Sequence, residues 1–180
     1  MAKKDIDTQI KKNGKLAECY ICLPDPKDVY TWYYVIWGFE NQYQNGYYFG
    51  KVTCPQDYPA KAPTITLLTH NGRFTLQTDG ICLSISNHHP ESWNPAWKVN
   101  QQVLGLQTFW HGGEGTYGSM YSYDFRREFR NYNLTEKEKS IKWARDSREN
   151  VLNQPKFKEI FAQYADVIGI NDPVEMPSWD

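Results

Sequence analysis

The pattern of apolar and polar residues predicts β-strands in the first part of the chain. Four runs rich in Tyr, Val, Ile and Thr occur at about 16–23, 29–37, 46–54 and 63–69, and Gly, Pro, Asn and Asp residues separate them. Runs of this composition bounded by turn residues indicate strands. Because no helical pattern lies between them, the sequence predicts a four-stranded antiparallel meander.

Helical patterns flank the predicted strands. Residues 2–12 carry Ile6 and Ile10 four positions apart and are followed by Asn13-Gly14, which indicates a short amphipathic N-terminal helix. A second apolar stripe ends at Gly112-Gly113 and predicts another helix. The stripe consists of Val99, Val103, Leu106 and Trp110.

Two further helices are predicted near the carboxy terminus. Thr135 and Glu138 have capping-box spacing and open a helix that turns Ile141, Ala144 and Val151 inward. Apolar residues then recur at helical spacing until Gly169, which predicts one last helix. They are Phe157, Ile160, Phe161, Tyr164 and Ile168.

Residues 69–97 show no period but are rich in Gly, Asn, His, Pro and Trp, so we expect an ordered loop that carries functional residues. The order of one helix, four strands, a long active-site loop and C-terminal helices indicates an α+β fold. A chain of 180 residues without a polar linker fits one domain. We place the domain at 1–170 and a C-terminal tail at 171–180.

Composition and charge exclude several function classes. Lys and Arg total 20 and Asp and Glu 21, so the formal net charge of -1 provides no overall field that attracts nucleic acid or anionic lipid. The uncharged apolar run at 29–39 is shorter than the roughly 20 residues that span a membrane, and no secretory signal opens the chain. We therefore expect a soluble protein of the reducing cytosolic compartment.

Cys82 is the first candidate for chemistry. It follows the turn-forming pair Asp79-Gly80 within Ile-Cys-Leu-Ser-Ile-Ser, and on this local sequence alone a buried, inert thiol is the more common outcome. Its surroundings favour catalysis. Asn71-Gly72-Arg73-Phe74 precedes it, and His-Pro-Glu-Ser-Trp-Asn-Pro-Ala-Trp follows at 89–97.

Together with Tyr58-Pro59, these motifs resemble the J-type branch of the ubiquitin-conjugating enzymes, relatives of the yeast enzyme anchored in the endoplasmic reticulum membrane and acting in degradation there. The likeness extends from about Lys3 to Ile168. It implies the ubiquitin-conjugating fold and an ATP-dependent pathway in which Cys82 receives ubiquitin as a thioester and passes it to lysine or hydroxyl groups. It also implies that the enzyme itself uses no metal and no cofactor.

Asn71 resembles the asparagine of the family's His-Pro-Asn motif, which reads Thr69-His70-Asn71 here and lacks the proline. The resemblance implies that its amide stabilises the negative charge that develops on the thioester oxygen, a contribution typically of about 10² to 10³ in rate. The segment between Arg73 and Asp79 is longer than in conventional members. A simple Asn-Gly turn is therefore an equally weighted alternative.

His88 and His89 follow Cys82 closely and could supply a base, or metal ligands together with His70 and His111. Without acidic or cysteine partners at ligand spacing, we predict no metal site. We favour histidines that take no part, because exchange of one thioester for another is nearly isoenergetic and needs no strongly activated thiol. A cysteine hydrolase remains as an alternative, and it would require an imidazole within hydrogen-bond reach of the sulfur.

Other candidates carry weaker signals. In conventional members an acidic or serine residue beyond the second helix assists the incoming lysine, and the sequence does not choose among Glu114, Ser119 and Asp124. Cys19 and Cys22 have redox-motif spacing, but strand residues three apart point to opposite faces, so we predict no redox role.

Partner surfaces follow from the resemblance. The activating enzyme would contact the basic first helix through Lys3, Lys4, Lys11 and Lys12. A RING-type ligase would contact two loop tips, formed by Pro59, Ala60, Pro95, Ala96 and Trp97. The family commonly has a large apolar residue where this chain has Ala60, so the ligase contact should lose apolar area.

The branch usually ends in a membrane anchor, whereas this sequence stops at Asp180 without an apolar segment. We expect a cytoplasmic protein, or one at the cytosolic face of the endoplasmic reticulum if an anchor follows. The alternative function is an inactive binding module of the same fold, against which the retained Cys82 argues.

Overall fold

A computed structural model of the chain describes residues 6, 14–16, 18–120 and 127–177. Its centre is a four-stranded antiparallel sheet in the order β1-β2-β3-β4, which confirms the predicted meander. The strands are β1 (Tyr20–Asp25), β2 (Asp28–Ile36), β3 (Tyr48–Thr53) and β4 (Thr64–Leu67). The first strand begins four residues and ends two residues later than its pattern indicated, and the second begins and ends one residue earlier. The third and fourth lie inside the predicted ranges.

The register of the sheet explains one glycine. Gly50 of β3 pairs with Tyr34 of β2 on one side and with Leu67 of β4 on the other. The Tyr34 hydroxyl passes over Gly50 and donates to the Thr66 carbonyl at 2.8 Å. A side chain at position 50 would collide with that hydroxyl, so only glycine allows this buried hydrogen bond.

One face of the sheet packs against helix α1 (Val99–Gly112). The four residues of its predicted stripe, Val99, Val103, Leu106 and Trp110, are all buried. The helix ends as predicted, because Gly113 adopts the left-handed conformation with φ 70°.

The other face of the sheet packs against the C-terminal helices. Helix α2 (Glu136–Leu152) begins with the predicted capping box, in which the Thr135 hydroxyl accepts from the Glu138 N–H at 3.3 Å and the Glu138 carboxylate accepts from the Thr135 N–H at 2.7 Å. Ala144 and Val151 are buried as predicted, whereas Ile141 is only half-buried.

The prediction of one last helix is wrong. The structure has α3 (Pro155–Ile160), a 3₁₀ turn (Ala162–Tyr164) and α4 (Ala165–Ile168) instead. Two carbonyls at the end of α4 accept hydrogen bonds from other parts of the chain. The Tyr47 hydroxyl donates to the Ile168 carbonyl at 2.7 Å, and the Leu16 N–H donates to the Val167 carbonyl at 3.2 Å. Val167 and Ile168 are the last residues of α4, so these bonds satisfy carbonyls that the end of a helix leaves unpaired. At the break itself the Tyr164 N–H donates to the Phe161 carbonyl at 2.8 Å, which is the tighter 3₁₀ bond.

The two ends of the chain are described only in part. Ile6 is helical and buried, and the rest of the predicted N-terminal helix lies outside the described residues. Near the carboxy terminus, Arg148 donates to the Asp172 carbonyl and Asn45 to the Glu175 carbonyl, so this stretch contacts the domain, and the boundary at residue 170 stays a prediction. Within the described ranges, no helix combines the length and apolar character needed to cross a bilayer.

Candidate functional site

Cys82 lies on a short segment that is anchored by its neighbours. Ile81 and Leu83 are buried in the same core cluster, and the Ile81 N–H donates to the Ile65 carbonyl of β4 at 2.9 Å. The Leu83 N–H is bonded to the Ser86 hydroxyl at 3.0 Å. The two buried side chains fix the backbone, and Cys82 between them stays partly exposed.

The loop after α1 supports this segment from the side. The Cys82 N–H donates to the Tyr117 carbonyl at 3.1 Å, and the Thr116 hydroxyl donates to the Cys82 carbonyl at 2.7 Å. On its opposite side the same loop pairs with residues 73–75, because the Thr75 N–H donates to the Gly118 carbonyl at 2.8 Å. Residues 114–120, which we call the bridging loop, thus connect the Asn71 turn to Cys82.

Arg73 fixes the bridging loop. It is 8% exposed, and its guanidinium donates to the Ser119 hydroxyl at 3.2 Å and to the Glu114 carbonyl. The same group lies 4.7 Å from the ring centre of Phe74 and 5.4 Å from that of Phe109. A fully charged, nearly buried side chain with bonds to both ends of a loop is expected to hold that loop in one conformation.

A histidine contacts the sulfur of Cys82. The His89 Nε2 lies 3.1 Å from the Cys82 Sγ, and the His89 Nδ1 lies 2.8 Å from the Glu91 Oε1. If Nδ1 carries the proton and donates a hydrogen bond to the carboxylate, Nε2 presents its lone pair to the thiol. The hydrogen bond from His89 lowers the pKa of the Glu91 carboxyl, so Glu91 stays negatively charged beside the imidazole.

This geometry places an imidazole within hydrogen-bond reach of the sulfur, which the interpretation favouring uninvolved histidines did not expect. A part for His89 in the reaction stays a prediction. Pro90 starts a 3₁₀ turn that folds Glu91 back beside His89, and the His89 N–H is bonded to the Ser86 carbonyl at 3.1 Å. The order His-Pro-Glu was the available signal. His88 differs, because its Nε2 lies 3.0 Å from the Asp79 carbonyl and 3.2 Å from the Gly80 carbonyl.

Asn71 is buried and its amide is fully engaged. The two hydrogens of Nδ2 are donated to the carbonyls of Thr69 at 3.0 Å and Phe74 at 3.1 Å. Its Oδ1 accepts from the N–H groups of Arg73 at 2.8 Å and Phe74 at 2.7 Å. In this conformation Asn71 shapes the turn, and a role as oxyanion donor, which would require one of these bonds to break, stays a prediction.

We expect Asn71→Ala to lower the free energy of unfolding by about 2–4 kcal/mol, because it leaves several buried backbone groups unpaired. Urea unfolding measures this, and Asn94→Ala, at an exposed asparagine with one backbone contact, is the matched control with little expected change. A variant of unchanged stability that had lost only thioester discharge would contradict the structural role and favour the oxyanion donor.

The remaining candidates are distributed as follows. The Ser119 hydroxyl is bonded to Arg73 and to the Thr116 N–H, Glu114 is exposed, and Asp124 lies outside the described residues. In the described part of the chain no cluster of His, Cys, Asp or Glu side chains could hold a metal ion. Cys22 is buried in β1, and burial raises the pKa of its thiol to about 12, which makes it a poor redox nucleophile.

The two predicted loop tips lie together. The Trp93 Nε1 donates to the Pro59 carbonyl at 2.7 Å, and the Tyr58 hydroxyl donates to the Trp97 carbonyl at 3.3 Å. Around these contacts the predicted ligase-binding residues Pro59, Ala60, Pro95 and Ala96 are exposed and Trp97 is half-buried. Lys3, Lys4, Lys11 and Lys12 lie outside the described residues.

Comparison with known proteins gives a consistent result. The family profile described as "Ubiquitin-conjugating enzyme" matches residues 2–122. Ubiquitin-conjugating enzyme E2 6 of Candida glabrata is 34% identical over 169 residues, which cover 91% of this chain and 63% of that protein. Ubiquitin-conjugating enzyme E2 34 of Arabidopsis thaliana is 37% identical, with 81% and 56% covered.

Human ubiquitin-conjugating enzyme E2 J2 is 43% identical over 110 residues, which cover 60% of this chain and 42% of that protein. In each case the match spans less than two thirds of the relative's own length. The names E2 6 and E2 J2 agree with the J-type resemblance, and the α+β arrangement of helices around an antiparallel sheet is the family's fold. The chain therefore belongs to the ubiquitin-conjugating enzyme family.

Proposed function

We propose that this protein is a ubiquitin-conjugating enzyme that accepts ubiquitin as a thioester on Cys82 and transfers it to an acceptor nucleophile. The observation that carries the proposal is the partly exposed Cys82 sulfur 3.1 Å from the His89 Nε2, in a chain of this family. The relay of thiol, imidazole and carboxylate has the parts that nucleophilic catalysis needs.

The charging step forms one thioester and breaks another. The Cys82 proton passes to the His89 Nε2, and the sulfur attacks the carbonyl carbon of ubiquitin's terminal glycine. The activating enzyme's sulfur leaves and takes up that proton, so His89 is neutral again before discharge. Because the two thioesters are nearly equal in energy, His89 assists this step without having to drive it.

The discharge step makes the greater demand on His89. An acceptor nitrogen or oxygen bonds to the carbonyl carbon, its proton passes to the imidazole, and the carbon–sulfur bond breaks to release the Cys82 thiolate. Glu91 stabilises the imidazolium that forms, because its carboxylate lies 2.8 Å from the His89 Nδ1. A hydroxyl is far less nucleophilic than an amine without such a base, so the geometry supports hydroxyl as well as lysine acceptors.

The partners of the proposed reaction are ubiquitin, the activating enzyme and a RING-type ligase. The exposed tips at Pro59-Ala60 and Pro95-Ala96 support a ligase surface, and the basic residues Lys3, Lys4, Lys11 and Lys12 stay the predicted contact with the activating enzyme. From the J-type resemblance we place the reaction in the cytosol or at the cytosolic face of the endoplasmic reticulum, in degradation associated with that membrane.

The test is charging by activating enzyme, ubiquitin and ATP, followed on a non-reducing gel. We expect a thiol-labile adduct one ubiquitin heavier with the wild type, a thiol-resistant ester with Cys82→Ser and no adduct with Cys82→Ala. Cys19→Ser is the matched control and should charge normally. If the wild type forms no adduct while another conjugating enzyme charges in the same mixture, the proposal of catalysis is wrong. The alternative, an inactive binding module of the same fold, then takes its place.

The contact between Cys82 and His89 also favours a second candidate, a cysteine hydrolase. That enzyme would cleave the ethyl ester of ubiquitin's carboxy terminus without activating enzyme or ATP. We expect no such cleavage above the rate of Cys82→Ala, and rapid cleavage would favour the hydrolase.

A further inference from the structure

The hydrogen-bond donors that surround Cys82 are already in use. Its own N–H is bonded to the Tyr117 carbonyl, and the N–H of Leu83 is bonded to the Ser86 hydroxyl. Both hydrogens of the Asn71 amide are donated to backbone carbonyls. Attack on a thioester builds negative charge on its carbonyl oxygen, and a donor aimed at that oxygen stabilises the charge. None of these groups can serve as that donor unless an existing bond breaks.

Ser84 carries a hydroxyl that is not in use. Its side chain is exposed, and within the described part of the chain neither its hydroxyl nor its N–H forms a hydrogen bond. Ser84 lies in a tight turn, because the Ser86 N–H donates to the Leu83 carbonyl at 3.0 Å and the buried Ser86 hydroxyl donates to the same carbonyl at 3.0 Å. The turn holds the backbone on both sides of Ser84 and leaves the Ser84 hydroxyl available to a substrate.

The side chains of Cys82 and Ser84 face the same way. Burial alternates along 81–84, since Ile81 and Leu83 are in the core, Cys82 is partly exposed and Ser84 is exposed. Alternation is the pattern of extended chain, in which residues two apart point to one side. Two residues of extended chain separate their Cα atoms by at most about 7 Å. Because a thioester carbonyl is attached directly to the Cys82 sulfur, the Ser84 hydroxyl can reach its oxygen.

We propose that Ser84 is a catalytic residue whose hydroxyl donates a hydrogen bond to the thioester carbonyl oxygen as negative charge develops there. This inference rests on the proposed conjugating function and adds the group that stabilises the oxyanion. The Ser84 hydroxyl keeps its proton, and the proton of the acceptor passes to His89 as before. Because the hydrogen bond acts on the carbonyl oxygen and not on the acceptor, it accelerates discharge to lysine, to serine and to neutral amines by the same factor.

The experiment follows single-turnover discharge of preformed Cys82–ubiquitin thioester to lysine, to serine and to hydroxylamine, which is a neutral nitrogen nucleophile. We expect Ser84→Ala to lower the maximal rate about 10²-fold with all three acceptors, the low end of the cost of losing one oxyanion donor. The acceptor concentration for half-maximal rate and the pH dependence should stay unchanged, since the hydroxyl neither binds the acceptor nor titrates. Ser84→Thr keeps a hydroxyl and should retain most of the rate.

Ser92→Ala is the matched control, because it removes the hydroxyl of another exposed serine and should leave discharge unchanged. The urea midpoint of Ser84→Ala should equal that of the wild type, since the folded protein loses no hydrogen bond. The inference is overturned if Ser84→Ala discharges at the wild-type rate, if it loses discharge to lysine alone, or if Ser84→Thr is as slow as Ser84→Ala. Failure of the proposed function is separate, because the wild type would then form no thioester to discharge.

Discussion

A His89→Gln variant is expected to discharge ubiquitin from Cys82 to an acceptor about 10²- to 10⁴-fold more slowly than the wild type, the usual contribution of a positioned general base. The reason is geometric. The His89 Nε2 lies 3.1 Å from the sulfur that carries the thioester carbonyl, and the acceptor must arrive at that carbonyl carbon. The Glu91 carboxylate holds the ring from the other side. Glutamine retains a polar side chain of similar reach but cannot take up a proton.

The loss should depend on the acceptor and on the step. Hydroxyl acceptors should lose most, because an alcohol must give up its proton as it attacks. Charging should fall far less, since one thioester replaces another. Single-turnover discharge to serine and to lysine, measured beside the rate of charging, separates these three effects.

His88→Gln is the matched control. Its ring is bonded to the Asp79 and Gly80 carbonyls, so we expect at most a small change in discharge. Glu91→Gln should also slow discharge, but less than His89→Gln does, because His89 remains as the base. Equal rates of discharge by wild type and His89→Gln would show that His89 takes no part in the mechanism. The reaction at Cys82 would then proceed without a base.

Much of the fold was predictable because its signals are local. Strand composition and turn residues predicted the meander, and the Thr135–Glu138 capping box placed the start of α2. The last helix was predicted wrongly because its apolar spacing does not register the change of geometry. Phe157, Phe161 and Ile168 keep a helical spacing across the 3₁₀ turn at Ala162–Tyr164, and residues three or four apart share a face in both kinds of helix.

The sequence indicates candidate site residues more readily than the distances between them. Cys82 and Asn71 followed from motifs, whereas the distance between Cys82 and His89 depends on a turn at Pro90 whose direction the sequence does not state. The support of Cys82 by the bridging loop was not predicted either. That contact joins residues 82 and 117, and the glycine-rich sequence around Tyr117 resembles any surface turn.

Arg73 supports the site from outside the Cys82–His89–Glu91 relay through its contacts with the bridging loop. Arg73→Ala is expected to slow discharge by about 10²-fold, the usual cost of an error near 1 Å in the placement of reacting groups. The variant leaves the carbonyls of Glu114 and Phe109 without their guanidinium donor. The bridging loop should then move, and with it the Tyr117 carbonyl and Thr116 hydroxyl that hold Cys82.

Loss of stability must be separated from loss of placement. We expect Arg73→Ala to unfold at a lower temperature, because hydrogen bonds to a charged group contribute about 1.5–3 kcal/mol each. Discharge is therefore measured well below its melting temperature, with the folded fraction determined by circular dichroism. Arg73→Lys keeps the charge but lacks the planar fork, so its rate should lie between those of wild type and Arg73→Ala.

Arg145→Ala, at an exposed arginine of α2, is the matched control and should change neither property. If folded Arg73→Ala discharged ubiquitin at the wild-type rate, the bridging loop would not set the position of Cys82. The anchors Ile81 and Leu83 would then suffice to hold it, and Arg73 would contribute to stability alone.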